Sequence, residues 1–405
     1  MRAPETIRLV HITTVPLTLD FISEQIGYMQ ARGFEVHVLS SPGELLDKFA
    51  AANGIPAHGI EMPRRITPLC DLKAIFQIWR CLRWIRPQIV HAHTPKGGLL
   101  GLCGAWLAGV PVRIYHLHGL PFMTARRRKR ILLRWSEKIS CRLAHQVFCV
   151  SPSIREVVVA EELCPPAKIK VLLNGSISGV DAVNRFNPRL IAAATRRAVR
   201  ARYDIPAEAQ IVTFAGRIVR DKGLIELIAA WKTLHAEFPA LHLLVAGCFE
   251  PQDPLPVEVE YTLRTDPRIH LTGWLDDMPA IYAATDVLVL PTYREGLGMT
   301  PLEAAAMETP VVATRIPGCI DSVQDRVTGM LVPPCDVKTL TEAIRLYLTR
   351  PDLRRKHGQA GRERVLRDFR PADIFIAQHQ EYIRLLQAKS LASLQSQRGI
   401  VKSVS

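Results

Sequence analysis

Apolar residues fall into short runs separated by stretches of helical period, and this alternation occurs twice along the chain. In the first half the runs are "RLVHITT", "EVHVLSS", "QIVHAHT", "VRIYHLHG", "QVFCVS" and "IKVLLNGS". In the second half they are "QIVTFAGR", "LHLLVAG", "RIHLTGW", "VLVLPT" and "PVVATR". Apolar strands alternating with helices predict an α/β fold of two parallel, doubly wound sheets covered on both faces. A helix is expected near residues 19 to 32, ending at Gly33, a residue suited to a C-terminal cap. The Gly-, Asn- and Ser-rich stretch at 174 to 188 reads as a turn-rich join between the two halves. Domains are therefore expected at 1–180 and 181–370. A long helix follows "RPAD", over 371–389, and residues 390–405 are expected to form a disordered tail.

Length agrees with this division, since 405 residues exceed one ordinary core. Hydrophobic residues make up 48%, but no window reaches the apolar length of a membrane span, and no signal peptide is read at the N-terminus. Nine cysteines without a CxxC pattern suggest reduced core thiols and a cytoplasmic location.

Charge changes the picture more. The net charge is +14, and residues 1 to 180 hold 23 Lys and Arg against 12 Asp and Glu. No acid occurs between Asp71 and Glu137, a gap with 12 basic residues. Such a field attracts anions: nucleic acid, anionic lipid or a phosphorylated substrate. Within it, residues 124 to 143 fit an amphipathic helix with a cationic face and a tryptophan, the composition of an interfacial anchor. Arg126, Arg127, Arg128, Lys129, Arg130 and Trp135 are the expected contacts with an anionic membrane surface. The plainer reading is a solvated charged face packed on the first domain.

Candidate chemistry sits at two strand-to-helix corners of the second half. In "FAGRIVRDKGLIELIAAW", Gly216 and Gly223 bracket a turn, and Arg217 and Lys222 gather where a helix begins. A helix N-terminus already carries positive potential, so cations there make sense if an anion sits between them. Salt bridges to Asp221 or Glu226 are the alternative. In "YREGLGMTPLEAAAMETPVVATR", Glu295 and Glu303 stand eight positions apart across a second corner. Gly296 and Gly298 let the backbone bend there, and Met299 and Thr300 bring amides to a helix start. Two such corners suggest a diphosphate, and a carboxylate on either side suits the paired hydroxyls of a ribose and a hexose. Asp276 and Asp277 precede a helix and read as its N-terminal cap. His91/His93 and His116/His118 form two His-x-His pairs, with no carboxylate or cysteine at ligand spacing beside them.

These residues resemble a known family. "GRIVRDKG", "LTGWLDDMPAIYAATDVLVLPTYREGLGMTPLEAAAMETPVVAT" and "TGMLVP" are similar to the retaining family 4 glycosyltransferases of the GT-B fold, whose two Rossmann-like domains face a cleft and whose C-terminal helix crosses back. "VHAHTPKGGLLG", "RIYHLHGLPF", "VFCVSPSIREVVV" and "LLNGSISGVDAVNRFNP" resemble the bacterial subgroup that builds capsule, O-antigen and lipid-linked oligosaccharides. The likeness runs from about residue 6 to 388.

The resemblance implies a UDP-sugar donor and a polyprenyl-diphosphate-linked glycan acceptor. It implies that Arg217 and Lys222 hold the donor diphosphate, Glu295 contacts the hexose and Glu303 binds the ribose. Gly298, Met299 and Thr300 would give backbone contacts, Gly216 would bend the phosphate turn, Gly273 and Trp274 would line the base, and His118 would reach the donor sugar. Two departures stand out: "TTVPLTLDF" replaces the Gly-Gly loop of many relatives, and Asp321 stands where a glutamate is frequent. No cofactor and no metal are expected, because no DxD motif ends a strand. Two other readings remain from sequence: a UDP-sugar 2-epimerase of similar architecture, and a non-enzymatic nucleic-acid binder. The second lacks stacking aromatics within its basic run.

Overall fold

Among the described residues, thirteen strands pair in parallel into two sheets. The first contains β1 (Ile7–Ile12), β2 (Phe34–Ser40), β3 (Ala57–Gly59), β4 (Ile89–His93), β5 (Val112–Leu117), β6 (Gln146–Cys149) and β7 (Ile169–Val171), in the order β3-β2-β1-β4-β5-β6-β7. The second contains β8 (Gln210–Ala215), β9 (Leu241–Ala246), β10 (Ile269–Gly273), β11 (Val287–Leu290), β12 (Val311–Thr314) and β13 (Gly329–Val332), in the order β10-β9-β8-β11-β12-β13. The computed structural model describes the backbone of residues 6–251 and 253–402, with side chains as far as Leu391. Eleven strands lie where the apolar runs place them. The edge strand β3 and the other edge strand β13 were not foreseen, because a strand paired on one side carries a weak apolar signal.

The chain separates into one unit of residues 1–178 and 372–405 and another of residues 179–371. The second join falls inside the last helix, Pro371–Lys402, so most of that helix belongs to the first unit. Its backbone is helical to Lys402, well past the 389 expected from the sequence. The segment after 389 holds no proline, and its Leu, Ala, Gln and Arg favour a helix despite one glycine. Residues 403–405 of the expected tail lie outside the described residues. A second early expectation that needs correction is the helix at 19–32. Its first part, Pro16–Ile22, is a 3-10 turn, and the α-helix spans only Ser23–Gln30, while Gly33 takes the left-handed φ of 84°.

Burial follows the parallel pattern. Every residue of β4 and β9 is buried. In the first sheet, Val10, Ile12, Val90, Ala92, Tyr115 and Leu117 face one core, and Leu9, Val36, Val38, Ile89 and Ile114 face the other. Tyr382 and Leu385 of the last helix complete that second core. Prolines open the helices Pro68–Ile85, Pro95–Leu107, Pro152–Ala160 and Pro351–Asp368, where a missing amide costs nothing. In the other unit, Arg362 is buried and donates to the carbonyls of Ala182, Phe186 and Ala306 and to the side chain of Asn187. This pins the turn-rich join to the helix beneath it.

All nine cysteines are free, but Cys70, Cys248 and Cys335 are exposed, which corrects their reading as core thiols. Among the described residues no helix is long and apolar enough to cross a membrane.

Candidate active site

In the second sheet the chain begins at β8, builds outward through β9 and β10, and then returns to β11 on the other side. Ligands of doubly wound sheets bind where the winding reverses, at the carboxyl ends of the strands. Here that place lies between β8 and β11. After β8, Arg220–Lys222 forms a 3-10 turn and Gly223, with φ of 73°, starts the helix Leu224–Glu237. A side chain at Gly223 would run into the Pro291 carbonyl, so glycine lets the loop after β8 lie against the exit of β11. The same approach is fixed from the other side, because the Asp221 carbonyl accepts from the Tyr293 amide at 2.8 Å and from the Thr292 hydroxyl at 3.1 Å.

The result is that Lys222 and Glu295 meet. The Lys222 Nζ donates to Glu295 Oε1, and both side chains are about 15% exposed. Around them, Arg294 pairs with Asp221 at 2.9 Å and the Tyr293 hydroxyl donates to Glu226, 2.7 Å from each carboxylate oxygen. The alternative pairing foreseen from sequence is thus replaced: Asp221 and Glu226 hold the loop after β11, while Lys222 takes Glu295. Arg217 lies apart from this pair, half-exposed and bonded to Glu250 at 2.8 Å.

The second corner packs just as closely. Gly298 precedes the helix Met299–Ala306, and a Cβ on it would press on Pro301 and on the Ser322 hydroxyl, each at 3.0 Å. Gly318, at φ 87°, brings the loop after β12 against the Gly296 carbonyl. Met299 and Thr300 form the first turn of this helix. One turn on, Glu303 accepts from the Tyr282 hydroxyl at 3.1 Å. Burial raises the Glu303 carboxyl above its ordinary range; the Tyr282 hydrogen bond and the Arg185 charge oppose that shift. Tyr282 and Arg185 were missed in the sequence, since neither lies near Glu303 along the chain.

Gly216 ends β8 in an extended turn, and its carbonyl faces Gly247 after β9. Gly273 ends β10 at φ 70°, and Trp274 after it is 61% exposed, its indole donating to Asp276 at 3.2 Å. Asp277 caps the helix Met278–Ala284 by accepting from the Ala280 amide, as its position implied. The Asp276 carbonyl accepts from Arg185, which links the Trp274 loop to the neighbourhood of Glu303. The structure therefore gathers Lys222, Glu295, Gly298, Met299 and Thr300 at one corner. Glu303 lies one helical turn away, and Gly216, Arg217, Gly273 and Trp274 follow along the same edge of the sheet.

Two family models fit this chain: "Glycosyl transferases group 1" over residues 195–364, and "Glycosyl transferase 4-like domain" over residues 20–175. The capsular polysaccharide biosynthesis glycosyltransferase CapM of Staphylococcus aureus is 31% identical over 89% of this chain and 93% of its own. The chain belongs to the family 4 glycosyltransferases. It is of the bacterial capsule and O-antigen type and has the GT-B fold. An Escherichia coli UDP-Gal:alpha-D-GlcNAc-diphosphoundecaprenol alpha-1,3-galactosyltransferase is 24% identical over 84% of this chain and 87% of its own. The Anabaena protein Alr3699/HepE, solved in complex with UDP, superposes with a TM-score of 0.75 at 17% identity, covering 95% of this chain and 100% of that one. Family membership supports the enzyme reading.

In the first unit, the basic segment forms the helix Arg127–Leu143, with Arg126 just before it. Arg126, Arg127, Arg128, Lys129 and Arg130 are exposed, and Arg130 also pairs with Glu161 at 3.0 Å. Ile131, Trp135 and Ile139 are exposed at helical spacing, Trp135 by 60%, while Leu133 packs against the core. His118 also belongs to this unit. It follows β5, and its Nε2 lies 3.2 Å from His93 Nδ1.

Proposed function

We propose that this glycosyltransferase moves a hexose or N-acetylhexosamine from a UDP-sugar to a polyprenyl-diphosphate-linked glycan, with retention at the anomeric carbon, in bacterial surface polysaccharide synthesis. The observation that carries this reading is the meeting of Lys222 and Glu295 at the winding reversal between β8 and β11, beside the helix start at Met299. An ammonium and a helix N-terminus at one point make a seat for a diphosphate. Without donor, Lys222 is neutralised by Glu295; a bound diphosphate takes over the cation and leaves the carboxylate to the hexose hydroxyls. Glu303 accepts the ribose hydroxyls. Arg217 turns from Glu250 to the phosphate. The loop from Gly273 to Trp274 lines the base.

Charge at the leaving diphosphate is balanced by Lys222, Arg217 and the helix amides, and no metal takes part at that corner. The departing phosphate oxygen accepts the acceptor's proton on the same face from which it leaves, so no enzymic nucleophile is required. The UDP-Gal donor and diphosphoundecaprenol-linked acceptor in the name of the Escherichia coli relative support the donor and acceptor classes. The exposed Ile131, Trp135 and Ile139 beside the cationic run support docking on the anionic inner face of the cell membrane, where a lipid-linked acceptor is found.

The test is UDP release by purified protein from a panel of UDP-sugars, with and without polyprenyl-diphosphate glycan. Release from one donor only when lipid acceptor is present supports the reading and names the donor. A sugar nucleotide recovered with changed configuration and no UDP released favours the epimerase instead.

A further inference from the structure

Of the two His-x-His pairs of the sequence, only His118 has so far been given a role, which the resemblance sets on the donor sugar. In the first unit the pairs join a fifth histidine. Residues two apart on a strand share a face, and the registers set His11 of β1 opposite His91 of β4, and His93 of β4 opposite His116 of β5. His118 follows on the same side. The rings form one cluster: the His91–His93 centroids are 4.3 Å apart, His116–His118 4.9 Å, and His11–His93 and His91–His116 5.2 Å each. His11, His91, His93 and His116 are buried, and His118 is half-buried at the edge.

Hydrogen bonds account for only part of the cluster. His11 Nδ1 meets His93 Nε2 at 2.9 Å, His93 Nδ1 meets His118 Nε2 at 3.2 Å, and His91 Nδ1 meets the Tyr382 hydroxyl at 2.6 Å. Among the described residues, both ring nitrogens of His116, which is 2% exposed, and Nε2 of His91 find no partner. Each unmet buried polar group costs about 1–3 kcal/mol. A neutral imidazole offers a lone pair, the form that binds a metal.

His93, His116 and His118 each offer one ring nitrogen, and the three atoms lie within 4.8 Å of one another. Zinc–nitrogen bonds of ~2.0–2.1 Å in tetrahedral geometry set ligand nitrogens about 3.3 Å apart. The 3.2 Å between His93 Nδ1 and His118 Nε2 fits that edge. His11 holds the other nitrogen of His93, the arrangement by which an outer partner orients a metal ligand. The cluster also stands where the first sheet reverses its winding, between β1 and β4.

We propose that His93, His116 and His118 bind one divalent transition-metal ion of the zinc class, with a fourth position open on the His118 side. Three imidazoles without thiolate or carboxylate favour zinc, cobalt, nickel or copper over magnesium or calcium. They leave both charges of the ion uncompensated, so the fourth ligand is an anion: hydroxide, or an oxygen of a phosphate or carboxylate. The three ligands belong to the first unit and the donor corner to the second, and the proposal gives His118 a role besides the donor contact that the resemblance implies. It revises the expectation that the protein binds no metal.

The test uses the full chain without an oligohistidine tag, stripped by chelator and titrated with Zn2+ by calorimetry and with Co2+ by visible absorption. About one ion per chain, tetrahedral nitrogen-ligand cobalt bands and a melting temperature raised by Zn2+ and lowered again by chelator are expected. H116Q and H118A are each expected to weaken binding at least ~100-fold, since loss of an outer partner alone costs 10–100-fold. The H118A change lies at the half-buried edge and keeps the test open if H116Q does not fold. Folded wild-type chain that takes up neither ion overturns the proposal. So does folded H118A that binds as wild type does, which would place the ion elsewhere, as on the exposed Cys70, Cys248 or Cys335.

Discussion

Lys222 and Glu295 neutralise one another across the two loops that end β8 and β11. Removing either leaves a mostly buried charge unpaired, and Lys222 also faces the proposed diphosphate. Lys222→Ala is expected to lower turnover ~100-fold or more, the scale of losing one key charge contact. Arg217→Ala is expected to fall as far, although Arg217 rests on Glu250 in the absence of donor. UDP-release kinetics measure both, and near-normal turnover in Arg217→Ala would remove it from the diphosphate. A second residue-scale effect lies in the first unit. Glu137 is buried with the Tyr115 hydroxyl at 2.7 Å, and burial pushes its carboxyl up from 4.5 to about 7. The folded state then holds a proton that the unfolded chain has released, so stability falls as pH rises from about 4.5 through 7. Glu137→Gln should flatten this decline in melting temperature against pH; an unchanged slope would assign it to other groups.

At the scale of elements, close backbone approach decides the site. Gly223 permits the loop after β8 to touch Pro291, and its φ of 73° disfavours any side chain. Gly223→Ala is expected to destabilise the protein by about 1–3 kcal/mol and to raise the KM for donor by displacing Lys222. Calorimetric melting with donor kinetics checks both; an unaltered KM would separate the turn from the site. The helix Arg127–Leu143 makes a different prediction. Arg127, Arg128 and Lys129 are exposed, and each cation near an anionic surface contributes about 1 kcal/mol. Changing all three to glutamate is expected to weaken sedimentation with anionic vesicles on the order of 100-fold or more, with little effect on neutral ones. Equal binding to both lipid types would return the helix to the plainer reading of a solvated face.

At the scale of the molecule, the chain folds as two parallel-sheet units, and the second is tied at its entry by one residue. From a buried position Arg362 donates to three acceptors within residues 182–187 and to the Ala306 carbonyl. Arg362→Ala leaves those acceptors unmet and is expected to cost about 3 kcal/mol or more, read as a lowered melting temperature. No periodicity marks Arg362, since it is one arginine among many on a charged helix.

The sequence by itself determined the α/β class, eleven of the strands, the two strand-to-helix corners and the place of Glu295 and Glu303 on the second of them. Strand runs and strand-to-helix turns are local, and their apolar and glycine patterns survive in one dimension. Tertiary structure alone decided which charges meet. Lys222 lies 73 positions from Glu295, and only the pairing of β8 with β11 brings them together. It also decided that His11, His91, His93, His116 and His118 form one cluster, because register across three strands is set by packing and not by spacing along the chain.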